Sequence, residues 1–218
     1  MSVQAGFIFD MDGVIIDSNP FHKISLKQFC AQHGYTLTEQ QLIEKIYGRT
    51  NNEWIAAVFG NIGKERITQL GEEKEALFRD LYQHDIKPLD GLPDFLAQLD
   101  EHRYRRAIAT SAPRSNVDFV LDKTGITSFF DIILDQADVT RGKPDPEIYQ
   151  KAARAVDLDP GHCIVFEDSL SGIQAAKAAG CKVVGVTTTH TAAEMQLVDL
   201  VIDNFTGLDP KALISRLF

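Results

Sequence analysis

Six short apolar runs, at 7–9, 107–109, 132–134, 164–166, 183–186 and 200–202, each end abruptly in polar or small residues. A strand with one wet face alternates apolar and polar side chains, whereas an unbroken run marks a strand covered on both faces. Helix-like stretches lie between most of the runs, among them "SNVDFVLDKTG", "DPEIYQKAARAV" and "SLSGIQAAKAAG", the last closing at Gly180 as a C′ glycine. Buried strands alternating with helices predict an α/β fold, a parallel sheet with helices on both faces.

One interval breaks this rhythm. From about 17 to 87 no strand pattern occurs, only amphipathic segments such as "FHKISLKQFCAQHG", "TEQQLIEKIYG", "NNEWIAAVFG" and "EEKEALFRDLYQH". The expectation is an all-helical insert over 17–87, carried by a core made of 1–16 and 88–218 and placed to act as a lid. "KPLDGLPDF" returns the chain to the core, with Pro88, Gly91 and Pro93 as punctuation.

Charge and composition narrow the partners. A net charge of −9 disfavours nucleic acid and anionic membranes, so an anionic small molecule would need a local cationic device. The three cysteines, Cys30, Cys163 and Cys181, lack metal-ligand spacing and fit a reducing intracellular compartment. No apolar run approaches the roughly 20 residues of a membrane-spanning helix, and "MSVQAGFIFD" lacks the basic start of a signal peptide. A soluble cytoplasmic protein is expected, as a monomer or weak homo-oligomer.

Ligands of such a sheet bind beyond the carboxyl ends of its strands, and four informative stretches fall there. Asp10 and Asp12 follow the first run, "TSA" (110–112) the second, "GKPDPEIY" (142–149) the third and "FEDS" (166–169) the fourth. "DMDG" is not a calcium loop: counting from Asp10, Ile15 stands where glycine is required and Phe21 where glutamate is. Ser111 reads either as a helix cap or as a hydroxyl holding a phosphate oxygen beside free helix N–H groups. Lys143 precedes a marked helix start, with Asp145 as N-cap and Pro146 at N1. Glu167 and Asp168 form either a solvated turn before a helix capped by Ser169 or, with Asp10, an all-oxygen site suited to Mg²⁺ rather than zinc. A cation, a lysine, a hydroxyl and a free carboxylate are the parts of phosphoryl transfer. Asp10 would attack phosphorus, while Asp12 would protonate the leaving oxygen and then take a proton from water.

The set "DMDGV", "TSA", "GKPDP" and "FEDSLSGI" resembles, in order and over nearly the full chain, the haloacid dehalogenase superfamily. The helical insert directly after the first motif resembles the C1 cap of its β-phosphoglucomutase-like branch. The resemblance implies a Rossmann-like parallel sheet core and a Mg²⁺ cofactor. It makes Asp10 the nucleophile, Asp12 the acid/base, and Ser111 the holder of the transferring phosphoryl group, helped by Thr110 and the Ala112 amide. Lys143 would stabilise charge. The side chains of Asp10 and Asp168, the carbonyl of Asp12, and Glu167 directly or through water would hold the metal.

Within the superfamily, Asp12 argues against dehalogenases, which lack it, and phosphonatases, which carry a small residue there. Phosphoester hydrolysis or mutation remains. β-Phosphoglucomutases grip a second phosphate with an arginine in a cap loop; the matching loop here is "GRTNNEW" (48–54), with Asn51 at that place and Arg49 earlier. Gly48, Arg49 and Asn51, with His22 and Lys74, are the substrate-binding candidates of the cap, and Thr50 with Glu53 reads as a capping box. The expected activity is Mg²⁺-dependent hydrolysis of small phosphorylated metabolites, sugar phosphates foremost. A phosphosugar mutase is the alternative, and a phospho-ligand sensor a third reading.

Overall fold

The first apolar run extends by one residue into β1 (Gly6–Phe9). The others become β2 (Arg105–Ala109), β3 (Ile132–Leu134), β4 (Cys163–Glu167), β5 (Lys182–Val186) and β6 (Leu200–Ile202). They form one sheet in the order β3-β2-β1-β4-β5-β6, every pair parallel. This is the α/β parallel sheet expected from the runs, and the Rossmann-like core that the resemblance implies. The computed structural model describes residues 4–46 and 50–218, and it divides into two compact units, Met1–Ser18 with Ile86–Phe218, and Asn19–Asp85. Gly48 and Arg49, two of the substrate-binding candidates, lie outside the described residues.

Among the described residues the smaller unit holds four helices, α1 (Asn19–Gln32), α2 (Glu39–Lys45), α3 (Asn51–Phe59) and α4 (Lys64–Tyr82). The larger unit carries α5 (Leu92–Glu101), α6 (Arg114–Thr124), α7 (Glu147–Ala155), α8 (Leu170–Ala179) and α9 (Pro210–Leu217).

β1 lies inside the sheet, between β2 and β4, and all four of its residues are buried. Successive side chains point to opposite faces, and the two faces differ. Phe7 and Phe9 join Phe95 of α5, Phe166 and Phe205 in an aromatic cluster, with Phe9 and Phe166 stacked at 4.9 Å. Ile8 points the other way, into an aliphatic cluster with Ala107, Val165 and Val183 and, from α7 and α8, Ile148, Ala152, Ile173 and Ala176. Covering both faces explains the unbroken apolar runs. The edge strands β3 and β6 are only three residues long and half-buried.

Within this unit the chain leaves and rejoins the sheet side by side: Ile16 bridges to Pro88 and the Leu89 amide donates to the Ile15 carbonyl at 2.9 Å. Gly91, at φ +79°, leads into α5, and a Cβ there would lie 2.3 Å from the Thr206 nitrogen, so no side chain fits.

In the helical unit, α1 and α3 pack on α4 around Leu26, Phe29, Leu42, Trp54, Ile55 and Leu70. The Thr50–Glu53 capping box is formed, and a second joins Thr38 and Gln41.

Candidate active site

β1 ends one residue before Asp10, whose amide still donates to the Phe166 carbonyl of β4 at 3.1 Å. The strand pairing therefore delivers the Asp10 carboxylate to the carboxyl end of β4, where Glu167 ends the strand and Asp168 follows. All three are buried, and their oxygens come within 4.8 Å of one another. Lys143, ahead of α7, reaches into this group. Its Nζ donates to Asp10 Oδ1 at 2.8 Å, to Glu167 Oε1 at 2.6 Å and to the Ala109 carbonyl at 3.4 Å.

Three buried carboxylates against one ammonium leave a surplus of negative charge. Burial, the charge of Glu167 and that of Asp12 push the Asp10 carboxyl up to about 7, against the opposing pull of Lys143. Asp168 is raised well above the usual carboxylate range by burial and then by Glu167 and Asp10. Burial acts to raise Glu167 too, but Lys143 and hydrogen bonds outweigh it and hold this carboxyl low. Desolvation acts to lower Lys143, and the charges of Asp10 and Glu167 overcome it, keeping the ammonium protonated. A buried all-oxygen cluster with surplus negative charge fits a hard divalent cation such as Mg²⁺. Asp10 and Asp168 could hold it with their side chains.

Glu167 is placed differently. Its Oε1 accepts from Lys143 and from the Tyr149 hydroxyl at 2.7 Å, and its Oε2 accepts from the Ser169 amide at 2.9 Å and hydroxyl at 3.0 Å. A carboxylate offers about four lone-pair positions, and protein donors occupy all of them. Direct coordination by Glu167 would have to displace one of these bonds. Gly172 makes the arrangement possible, since a Cβ there would sit 1.7 Å from Oε1.

Asp12 is held apart from its neighbour: its Oδ1 accepts from Ser18 Oγ at 2.5 Å. Ser111 is exposed, two residues ahead of the Pro113 N-cap of α6, and that helix has no side-chain cap, so the capping reading of Ser111 is not realised. Thr110 is buried and its Oγ1 accepts from the Ala112 amide at 3.1 Å, which engages the amide expected to meet phosphate. The start of α7 departs by one residue from expectation. Pro146, already in helical backbone, takes the N-cap position, and Asp145 Oδ1 accepts from the Glu147 amide at 3.0 Å from one place earlier. The helix thus has a side-chain acceptor, but not at its N-cap.

The family model of the haloacid dehalogenase-like hydrolases matches residues 7–186. The chain belongs to that family. It is 31% identical over 199 residues to the validoxylamine A 7'-phosphate phosphatase of Streptomyces hygroscopicus subsp. limoneus, covering 91% of this chain and 93% of that one. To the beta-phosphoglucomutase of Bacillus subtilis it is 30% identical over 187 residues, covering 82% and 81%. The crystal structure of a HAD hydrolase, family IA, variant 3 from Entamoeba histolytica superposes with a TM-score of 0.90 at 31% identity, over 98% of this chain and 99% of that one. The chain is a member of the β-phosphoglucomutase-like branch of these hydrolases.

The cap candidates within the described residues meet in one polar network of the helical unit. Lys74 Nζ pairs with Glu75 Oε1 at 2.9 Å and lies 3.0 Å from His22 Nδ1. An ammonium can only donate, so Nδ1 accepts. The His22 ring stacks on Phe78 at 3.8 Å. Asn51 Nδ2 donates to Glu75 Oε1 at 2.9 Å, and its Oδ1 accepts from Trp54 Nε1 at 2.8 Å.

Sequence reasoning missed four residues of the core site: Ser18, Tyr149, Gly172 and Thr189. Thr189 Oγ1 donates to Asp168 Oδ2 and Thr188 Oγ1 to the Gly13 carbonyl at 2.6 Å. A signal was available for the threonines, because "TTTH" follows the fifth apolar run as the motifs follow the others.

Proposed function

We propose that this protein is a Mg²⁺-dependent phosphatase of small phosphorylated metabolites, sugar phosphates foremost, working through an aspartyl-phosphate on Asp10. It is a phosphoric monoester hydrolase. The observation that carries this reading is the Asp10–Lys143–Glu167 arrangement: a buried carboxylate held at 2.8 Å by a cation that is itself anchored at 2.6 Å.

Asp10 attacks phosphorus, an O–P bond forms to its carboxylate and the ester P–O bond breaks. Asp12, its rotamer fixed by Ser18, gives a proton to the leaving oxygen. Water then attacks the same phosphorus, Asp12 takes its proton, and the Asp10–phosphorus bond breaks to release phosphate. Lys143 offsets the charge that develops, and Ser111 with Thr110 holds phosphoryl oxygens. Bound Mg²⁺, held by Asp10, Asp168 and the Asp12 carbonyl, would neutralise the phosphate so that an anionic nucleophile can approach.

His22, Asn51 and Lys74, with Gly48 and Arg49, are the substrate-reading residues in this proposal. A mutase must grip a second phosphate, and the polar network of the helical unit favours hydrolysis instead. Lys74 is neutralised by Glu75, and both ends of the Asn51 amide are engaged. No helix of the described residues is long and apolar enough to cross a membrane. A cytoplasmic setting belongs to the reading, supported by three free, buried cysteines.

The test is phosphate release from a panel of phosphorylated sugars with Mg²⁺, each with and without glucose 1,6-bisphosphate. Stoichiometric phosphate without the bisphosphate is expected. Glucose 6-phosphate formed from β-glucose 1-phosphate only with the bisphosphate would make the protein a mutase. Ligand binding with no turnover, unaltered in Asp12→Ala, would make it a sensor.

A further inference from the structure

Tyr149 lies on the first turn of α7, fully buried, and takes no part in the steps above. Its surroundings are the aliphatic cluster of Ile148, Ala152, Ile173 and Ala176, where phenylalanine would pack as well. A phenol there carries a desolvation cost that phenylalanine avoids, unless its hydroxyl is bonded. That hydroxyl donates to Glu167 Oε1 at 2.7 Å, the same oxygen that accepts from Lys143 at 2.6 Å. The Lys143 Nζ also stands 4.9 Å from the centre of the Tyr149 ring. Tyr149 therefore touches both members of the ion pair that faces Asp10.

An ammonium has three hydrogens, and Lys143 directs them to Asp10, Glu167 and the Ala109 carbonyl. How firmly it leans on Asp10 depends on how strongly Glu167 pulls. A second donor on Oε1 draws charge from that oxygen and weakens its hold on the lysine. We propose that Tyr149 is a positioning residue for phosphoryl transfer, its hydroxyl dividing the Lys143 ammonium between Glu167 and Asp10 so that the cation stays against the nucleophile. The proposal rests on the phosphatase reading for its consequence in rate, but not for its consequence at Lys143.

Tyr149→Phe keeps the ring and the packing and removes the hydroxyl alone. With p-nitrophenyl phosphate, kcat should fall by about tenfold, equivalent to about 1.4 kcal/mol of barrier. KM, and the Mg²⁺ affinity measured by calorimetry, should stay within about twofold. An unchanged kcat would overturn the proposal. So would a Mg²⁺ affinity that falls in step with kcat, because Tyr149 would then be bracing a metal ligand. A second readout needs no turnover: the ¹⁵N ammonium resonance of Lys143 in metal-free protein, assigned by its loss in Lys143→Arg. Its exchange with water should slow in Tyr149→Phe, because Glu167 then holds the ammonium more tightly, and identical exchange in the two proteins refutes the positioning role. A wild-type protein that hydrolyses no phosphoester would end the phosphatase reading, and the ammonium measurement would still decide the case of Tyr149.

Discussion

Asp10 and Asp12 are two positions apart yet live in different electrostatic settings. Asp10 is buried against Lys143, Glu167 and Asp168, whereas Asp12 is half-buried and bonded to a serine hydroxyl. In the proposed mechanism the surplus charge around Asp10 serves the chemistry, and it works against folding. Asp10→Asn should abolish turnover while raising the melting temperature in EDTA by about 2–4 °C, the equivalent of about 1 kcal/mol in a chain of this size. Calorimetry beside a phosphate assay checks both, and a lower melting temperature would mean that Asp10 is net stabilising. The carboxylates were legible in the sequence because charge at the end of a buried strand is costly to desolvate without a partner, and Lys143 because it precedes a marked helix start beyond the third run. Tyr149 was not, since an aromatic on the inner face of a helix reads as core. Nor could sequence alone count the donors on Glu167, so its place as a lysine anchor came only with the geometry.

Two elements hold this cluster in place, and each depends on one residue. Glu147, at the start of α7, ties down the loop before Lys143. Its Oε2 accepts from the Thr140 amide and hydroxyl and the Arg141 amide, and its Oε1 from Lys151. The Lys151 and Thr140 hydrogen bonds hold its carboxyl down to about 2 from an ordinary 4.5. A pKa depressed in the fold stabilises above the unfolded value and loses that effect as pH falls through the folded one. The gap in melting temperature between wild type and Glu147→Gln should therefore be full above pH 4.5 and close steadily toward pH 2. A gap independent of pH would show that the clamp is not electrostatic. On the other side, α8 brings Gly172 against Glu167. Gly172→Ala should destabilise by about 1–3 kcal/mol in urea unfolding, as overpacking does, and slow turnover by shifting Glu167; an unchanged midpoint would mean that Glu167 yields easily. The strands were legible because burial on both faces leaves an unbroken apolar signature. The start of α7 was off by one because proline suits both N1 and the helical backbone it adopts here at the N-cap.

At the scale of the molecule, the carboxylate cluster couples ligation to stability. In the proposed reading Mg²⁺ binds the assembled site and not the unfolded chain, so the melting temperature should rise with its concentration as mass action requires. EDTA should remove both that gain and the activity, and full activity in EDTA would refute the metal. The succession of six parallel strands was readable from patterning, whereas their spatial order was not, because apolar runs carry no address for their neighbours. That order has a consequence for how the protein comes into being. Gly6 faces Arg105 on one side and Cys163 on the other, so the strand that carries Asp10 finds its partners across most of the chain. Such pairings form late, after the entropy of closing long loops has been met. During synthesis Asp10 is among the first residues made, but its lysine and its carboxylate neighbours come well over a hundred residues later. In the proposed mechanism a chain that ends before Lys143 is chemically silent, and reactivity waits on residues that arrive late.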